Sequence, residues 1–132
     1  MSESQLNNNK SLIVGVWKLI SFKLFLVSGD QSKVLLEPHG DKPMGLAIFT
    51  NSGYMSGTVQ PPIESEGYGK QSWFDASDQR IAAAARHFST YSGPYDLRYD
   101  GEELVLNCHV KVALNPAWVG TTEVRRNVKI IE

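Results

Sequence analysis

The sequence predicts an all-β protein: an antiparallel up-and-down barrel of seven to eight strands with one α-helix. Three observations carry this. Apolar and polar residues alternate with period two through much of the chain, with many β-branched and aromatic types. Turn residues recur at short intervals, as Ser28-Gly29-Asp30, Asn51-Ser52-Gly53 and Asp100-Gly101, and these favour hairpins. Asp75–Ser89 alone carries a helical period. A meander of hairpins has exposed edges, and closure into a barrel removes them.

The elements follow in order. Met1–Lys10 (MSESQLNNNK) lacks an apolar stretch and reads as a disordered tail, which leaves residues 11–132 as a single domain. Leu12–Val27 alternates and reads as a long first strand, bent because polar residues fall on both of its faces. Lys33–Glu37, Gly45–Thr50 and Tyr54–Gln60 are the next three strands, and Pro61-Pro62 ends the last of them. Ile63–Trp73 is Gly-rich and aperiodic, as binding loops often are. In the helix, Asp75 or Ser77 can cap, and Ile81, Ala84, Ala85 and Phe88 form the apolar stripe. Strands resume at Tyr91. Leu104, Leu106, Cys108, Val110, Val112 and Leu114 share one parity; Asn107, His109, Lys111 and Asn115 share the other. Thr121–Ile131 is the last strand.

Composition narrows the function. In 132 residues, 13 Lys and Arg oppose 14 Asp and Glu, so the strongly basic face expected of a nucleic-acid or anionic-membrane binder is not expected here. A single cysteine forms no disulfide framework and points to a reducing cytoplasm. One Cys and three His do not build a Cys-rich zinc site. No Gly-rich nucleotide cradle is present. The expectation is therefore no cofactor, no metal, no nucleic acid and no membrane.

Two sets of residues carry a resemblance. Gly15-Val16-Trp17 resembles the Gly-x-Trp signature of lipocalins. That resemblance implies that Arg125 or Arg126 packs across Trp17 in a cation–π contact. Thr50–Ser56 (TNSGYMS), Ala82–Arg86 (AAAAR), Tyr91–Tyr95 (YSGPY) and Asn115–Thr121 (NPAWVGT) then occur in that order. Together they resemble the small lipocalin-like domain family of bacterial and fungal proteins, over Leu12–Ile131. Fungal members often sit among genes of secondary metabolism. The resemblance implies a cofactor-independent isomerase, cyclase or rearrangement enzyme for a small hydrophobic secondary metabolite. The alternative is a non-catalytic carrier of such a molecule. Two departures stand out. Lys111 replaces an expected acidic residue, and the chain stops at Glu132, where the family adds a strand. Closure then falls to the N-terminal segment or a partner chain, such as a second copy in a homodimer, or the barrel stays open.

The expected chemistry is acid–base. Tyr95 and His109 are the candidate proton carriers, and Arg125 and Glu123 the orienting or charge-stabilising groups. His109 has two readings: a solvated outer face, or a polar lining of the cavity. Trp17, Tyr54, Met55, Tyr68, Trp73, Tyr91, Arg98 and Trp118 are the candidate ligand-binding residues. Tyrosine and tryptophan suit that role because an apolar body carries a polar handle. His87 is expected to meet the helix C-terminal dipole, and Cys108 to be a small buried hydrophobe.

Overall fold

The first element is a helix, α1 (Glu3–Ile13), in a stretch whose sequence reads as a tail. The computed structural model describes residues 2–25, 34–36, 42–60 and 72–131. Ser2 and Gln5 form a reciprocal cap. The Ser2 hydroxyl accepts from the Gln5 N–H at 3.2 Å, and the Gln5 side chain accepts from the Ser2 N–H at 3.0 Å. The cap starts the helix, but packing holds it. Ile13 is buried and Leu6 lies against the same apolar cluster. An amphipathic reading of Leu6 with Ile13 is hard to see in sequence, because three asparagines separate them.

Among the described residues nine strands follow: β1 (Gly15–Lys18), β2 (Leu24–Phe25), β3 (Val34–Leu36), β4 (Met44–Phe49), β5 (Tyr54–Gln60), β6 (Ser89–Asp100), β7 (Glu103–His109), β8 (Val112–Ala113) and β9 (Thr122–Arg125). Helix α2 (Asp78–Arg86) stands between β5 and β6, and a 3-10 turn, Pro116–Trp118, precedes β9. Seven strands form one sheet in the order β1-β4-β5-β6-β7-β9, with β8 paired to β6. β2 and β3 form a separate antiparallel ribbon. No pairing of β1 with β9 is present among the described residues, so these residues make a sheet rather than the expected closed barrel. The apolar face does not depend on closure alone, because α1 covers part of it.

Three expected elements are shorter than their sequence pattern. The long first strand is interrupted after Lys18, the polar residue on the otherwise apolar parity of Val16, Ile20 and Phe22. The Leu104–Leu114 alternation stops at Val110. Lys111 bends the chain, its N–H bonded to the Ser92 carbonyl at 2.8 Å, and parity shifts so that Val112 and Leu114 are exposed. The last strand ends at Arg125, because Asn127 adopts a φ of 53° and gives its N–H to the Glu103 carboxylate at 2.9 Å. Helix α2 also starts later than the pattern, with Ser77 as its cap accepting from the Arg80 N–H at 3.3 Å.

The chain divides into two compact units. One comprises Met1–Trp17, Ala47–Gly57 and Thr90–Glu132. Its core is Ile13, Phe49, Met55, Leu97, Leu104, Cys108 and Val110. The β6–β7 hairpin organises it, pairing Asp100 with Glu103, Leu97 with Leu106 and Tyr95 with Cys108. Gly101 supplies the left-handed φ of 64° that this tight turn needs. Arg126 clips the hairpin shut, reaching Asp100 at 2.7 Å and Glu103 at 2.9 Å. The other unit comprises Lys18–Leu46 and Thr58–Ser89. There the Leu19 N–H bonds the Gly45 carbonyl at 2.9 Å, and a side chain at Gly45 would crowd the Thr58 carbonyl.

Candidate functional site

Direct cross-strand partners share a face of an antiparallel sheet. Tyr95, Cys108 and Glu123 therefore form one row, and Leu97, Leu106 and Arg125 the next. Both rows lie on the face that carries the core. At one end of this face the chain builds a polar cluster among apolar side chains. Arg125 and Glu123 pair at 2.8 Å. The Arg125 charge lies within electrostatic reach of the Tyr91 phenol. The Tyr91 ring lies 3.6 Å from where a Cβ at Gly57 would be, so the glycine leaves room for it.

Two local motifs deliver the aromatic wall. Asn115 caps the 3-10 turn, its side-chain oxygen accepting from the Ala117 N–H at 3.1 Å. The Thr121 hydroxyl donates to the Trp118 carbonyl at 2.7 Å and closes the turn. This sets the Trp118 indole edge-on to Tyr91, with ring centroids 6.4 Å apart and planes at 84°. Burial pushes the Tyr91 phenol above its ordinary value, and the Arg125 charge partly offsets that. The phenol is thus a neutral donor at neutral pH. Cys108, fully buried on the same face, is also pushed up by burial and by the neighbouring Glu123, so it is a thiol there.

Four of the expected residues meet here: Tyr91, Trp118, Glu123 and Arg125. The others do not join them. Tyr95 lies on the same face but donates its hydroxyl to the Thr50 carbonyl at 3.0 Å and packs edge-on against Phe49. Met55 is part of the core. Trp17 is partly exposed and gives its indole N–H to the Ile13 carbonyl at 2.7 Å. The arginines implied as its stacking partners have carboxylate partners, Glu123 for Arg125 and Asp100 with Glu103 for Arg126. Tyr54 is exposed, and Trp73 is exposed within the other unit. Tyr68 and His39 lie outside the described residues.

His109 and Arg98 are on the opposite face, and the His109 side chain is half-exposed. Strand parity decides this, since both neighbours of His109, Cys108 and Val110, point into the core. Sequence reasoning did not foresee the company His109 keeps. Its Nε2 lies 2.9 Å from Asp96 and its Nδ1 3.1 Å from Thr122. The Asn107 amide, itself buried, donates to the other Asp96 oxygen at 3.0 Å. Burial raises the Asp96 carboxyl, but the Asn107 and His109 hydrogen bonds, with the His109 and Arg98 charges, hold it below its ordinary range. The available signal was the Asp100-Gly101 hairpin: counting back from it places Asp96 opposite Asn107.

Among the described residues, no group of three or more His, Cys, Asp or Glu side chains is placed to hold a metal ion. No described helix is long and apolar enough to cross a membrane. Comparison with curated proteins finds no match, and neither does comparison with solved structures. A family model does match, and it covers residues 14–132, nearly everything after α1. Its description, a lipocalin-like domain, agrees with the mostly antiparallel seven-stranded sheet; the chain belongs to the lipocalin-like domain family.

Proposed function

We propose that the protein binds a small, largely hydrophobic molecule against the core-bearing face of the sheet, with an oxygen of that molecule held at Tyr91, Arg125 and Glu123. One observation carries this: the Arg125–Glu123 ion pair shares the core-bearing face with Leu106 and Cys108, within electrostatic reach of Tyr91, which meets Trp118 edge-on. Apolar walls with a few convergent polar groups are what such sites use. Family membership supports the same reading. The test is native mass spectrometry of the full-length protein followed by denaturing release. A co-purifying small molecule, reduced in Arg125→Met and Tyr91→Phe, is the expected result. A wild-type protein that neither carries nor takes up any apolar small molecule would overturn it.

The finer reading is a cofactor-independent isomerase or cyclase. The proximity of a neutral phenol donor and a carboxylate supports it, because one can give a proton to a ligand oxygen while the other accepts one from carbon. In this reading Tyr91 and Glu123 take the acid–base roles. Tyr95 is committed to Thr50, and His109 belongs to the other face. Released ligand that differs from the ligand supplied, with turnover abolished in Glu123→Gln, is expected of an enzyme. Unchanged ligand would make the protein a carrier. The buried free thiol of Cys108 supports a reducing compartment.

A further inference from the structure

The face that carries His109 has chemistry of its own, built by the register of three strands. Asn107 stands opposite Asp96 across β6 and β7, and Thr122 stands opposite His109 across β7 and β9. Asp96 is thus a diagonal neighbour of His109, within reach of its ring. We propose that Thr122, His109 and Asp96 form a nucleophile–base–carboxylate relay that takes the acyl group of an activated carboxylic ester, either an aryl ester or a thioester.

What each partner can give or accept sets the direction of the hydrogen bonds. Burial raises the Asp96 carboxyl, but the Asn107 and His109 hydrogen bonds hold it below its ordinary range, so at neutral pH it is a carboxylate and only accepts. His109 Nε2, 2.9 Å from Asp96, therefore carries the ring proton. In a neutral imidazole the other nitrogen, Nδ1, then offers a lone pair. Thr122 Oγ1 stands 3.1 Å from Nδ1 and donates to it. A hydroxyl on a base, and the base on an orienting group, is the arrangement that activates a weak nucleophile. The orienting group is itself held, because the buried Asn107 amide donates to the other Asp96 oxygen at 3.0 Å. Thr122 is exposed and the His109 side chain half-exposed, so an ester can reach the hydroxyl. Val124, two residues along β9 on the same face, is exposed and offers apolar surface to a short acyl chain.

The step balances without a cofactor. Thr122 Oγ1 bonds to the ester carbonyl carbon while its proton passes to Nδ1, and Asp96 stabilises the imidazolium. The bond from that carbon to the leaving oxygen or sulfur breaks, and the leaving phenol or thiol takes the proton. Water then attacks the acyl-threonine with His109 again as base, giving a carboxylic acid and the free hydroxyl.

The experiment incubates the full-length protein with p-nitrophenyl acetate at neutral pH. It follows nitrophenolate release and maps any added acetyl group by peptide mass spectrometry. The wild type is expected to carry the acetyl group on Thr122, removable by hydroxylamine as an ester is. Thr122→Val and His109→Gln are expected to slow release at least about tenfold, and Asp96→Asn to slow it less. Thr122→Ser is expected to keep the reaction, which separates loss of the hydroxyl from loss of the fold. Acetylation confined to lysines or Cys108 would overturn the proposal. So would release that is equal in wild type and Thr122→Val, or a wild type with neither adduct nor release above buffer. In each of those cases the three side chains only clip β6, β7 and β9 together.

Discussion

A side chain at Gly93 would drive its first carbon into the carbonyl oxygen of His109. The glycine is there because β6 and the chain leaving β7 approach backbone to backbone at that point. Gly93→Ala is therefore expected to cost about 3 kcal/mol in chemical denaturation, the upper range for overpacking. A midpoint equal to wild type would show that the two segments part without cost. Val105 makes the complementary point. It is 0% exposed although it has the parity of Asp96 and His109, not that of the core row. Strand β7 lies between β6 and β9 and is covered on both faces there. Val105→Ala is expected to lose roughly 2 kcal/mol, comparable with other buried truncations, whereas an outward-facing valine would lose almost nothing. Alternation reads the Leu104–Cys108 row correctly but leaves the burial of Val105 unread, since period two gives parity and says nothing about what covers the second face.

Among the elements, α1 departs most from its sequence signal. Its middle, Asn7-Asn8-Asn9, is poor in helix propensity, and short helices are marginal without tertiary contacts. Ile13 supplies the contact, and the Asn9 side chain donates to the Tyr99 hydroxyl at 2.9 Å. If packing dominates capping, Ile13→Ala lowers stability by about 3 kcal/mol and Ser2→Ala by at most about 1 kcal/mol. Thermal unfolding of the two variants checks the order; a larger loss for Ser2→Ala would reverse it. The hairpins were far more legible. Asn51-Ser52-Gly53 and Asp100-Gly101 stand where the sequence puts them, because a tight turn is a local demand that a glycine with positive φ answers locally. Strand ends were less so. β9 stops where Asn127 turns left-handed onto Glu103, a partner more than twenty residues away.

At the scale of the whole molecule, the ionisable groups shape stability against pH. The Asp96 carboxyl is lower in the folded protein than its ordinary value. Its contribution is therefore present above the unfolded carboxylate value, near about 3.9, and is lost as pH falls through the folded value. Asp96→Asn is expected to flatten the acid limb of the stability curve below about pH 4, with Asp100 supplying part of the remaining slope. An acid limb identical to wild type would remove Asp96 from the account. At the alkaline end Tyr91 has the opposite sign. Its raised value means stability that is full below about pH 10 and lost above it. Tyr91→Phe should blunt that loss.

The residue types and their order were enough to specify an antiparallel β protein with tight hairpins, a helix before β6 and a neutral, cysteine-poor surface. Tyr91, Trp118, Glu123 and Arg125 could be named as candidates because the Tyr91–Tyr95 and Asn115–Thr121 motifs and the last strand are local features. Their grouping was not legible. Tyr91 reaches Arg125 through the fold, and Tyr95, two residues along the same face, is drawn to Thr50 instead. His109 pairs with Asp96 and Thr122 on the far face. Periodicity is a property of one strand, while a site depends on register, bends and chain breaks that several strands settle together. Lys111 bending the chain after β7 and α1 folding against the core are decisions of that kind, made by contacts between residues distant in sequence.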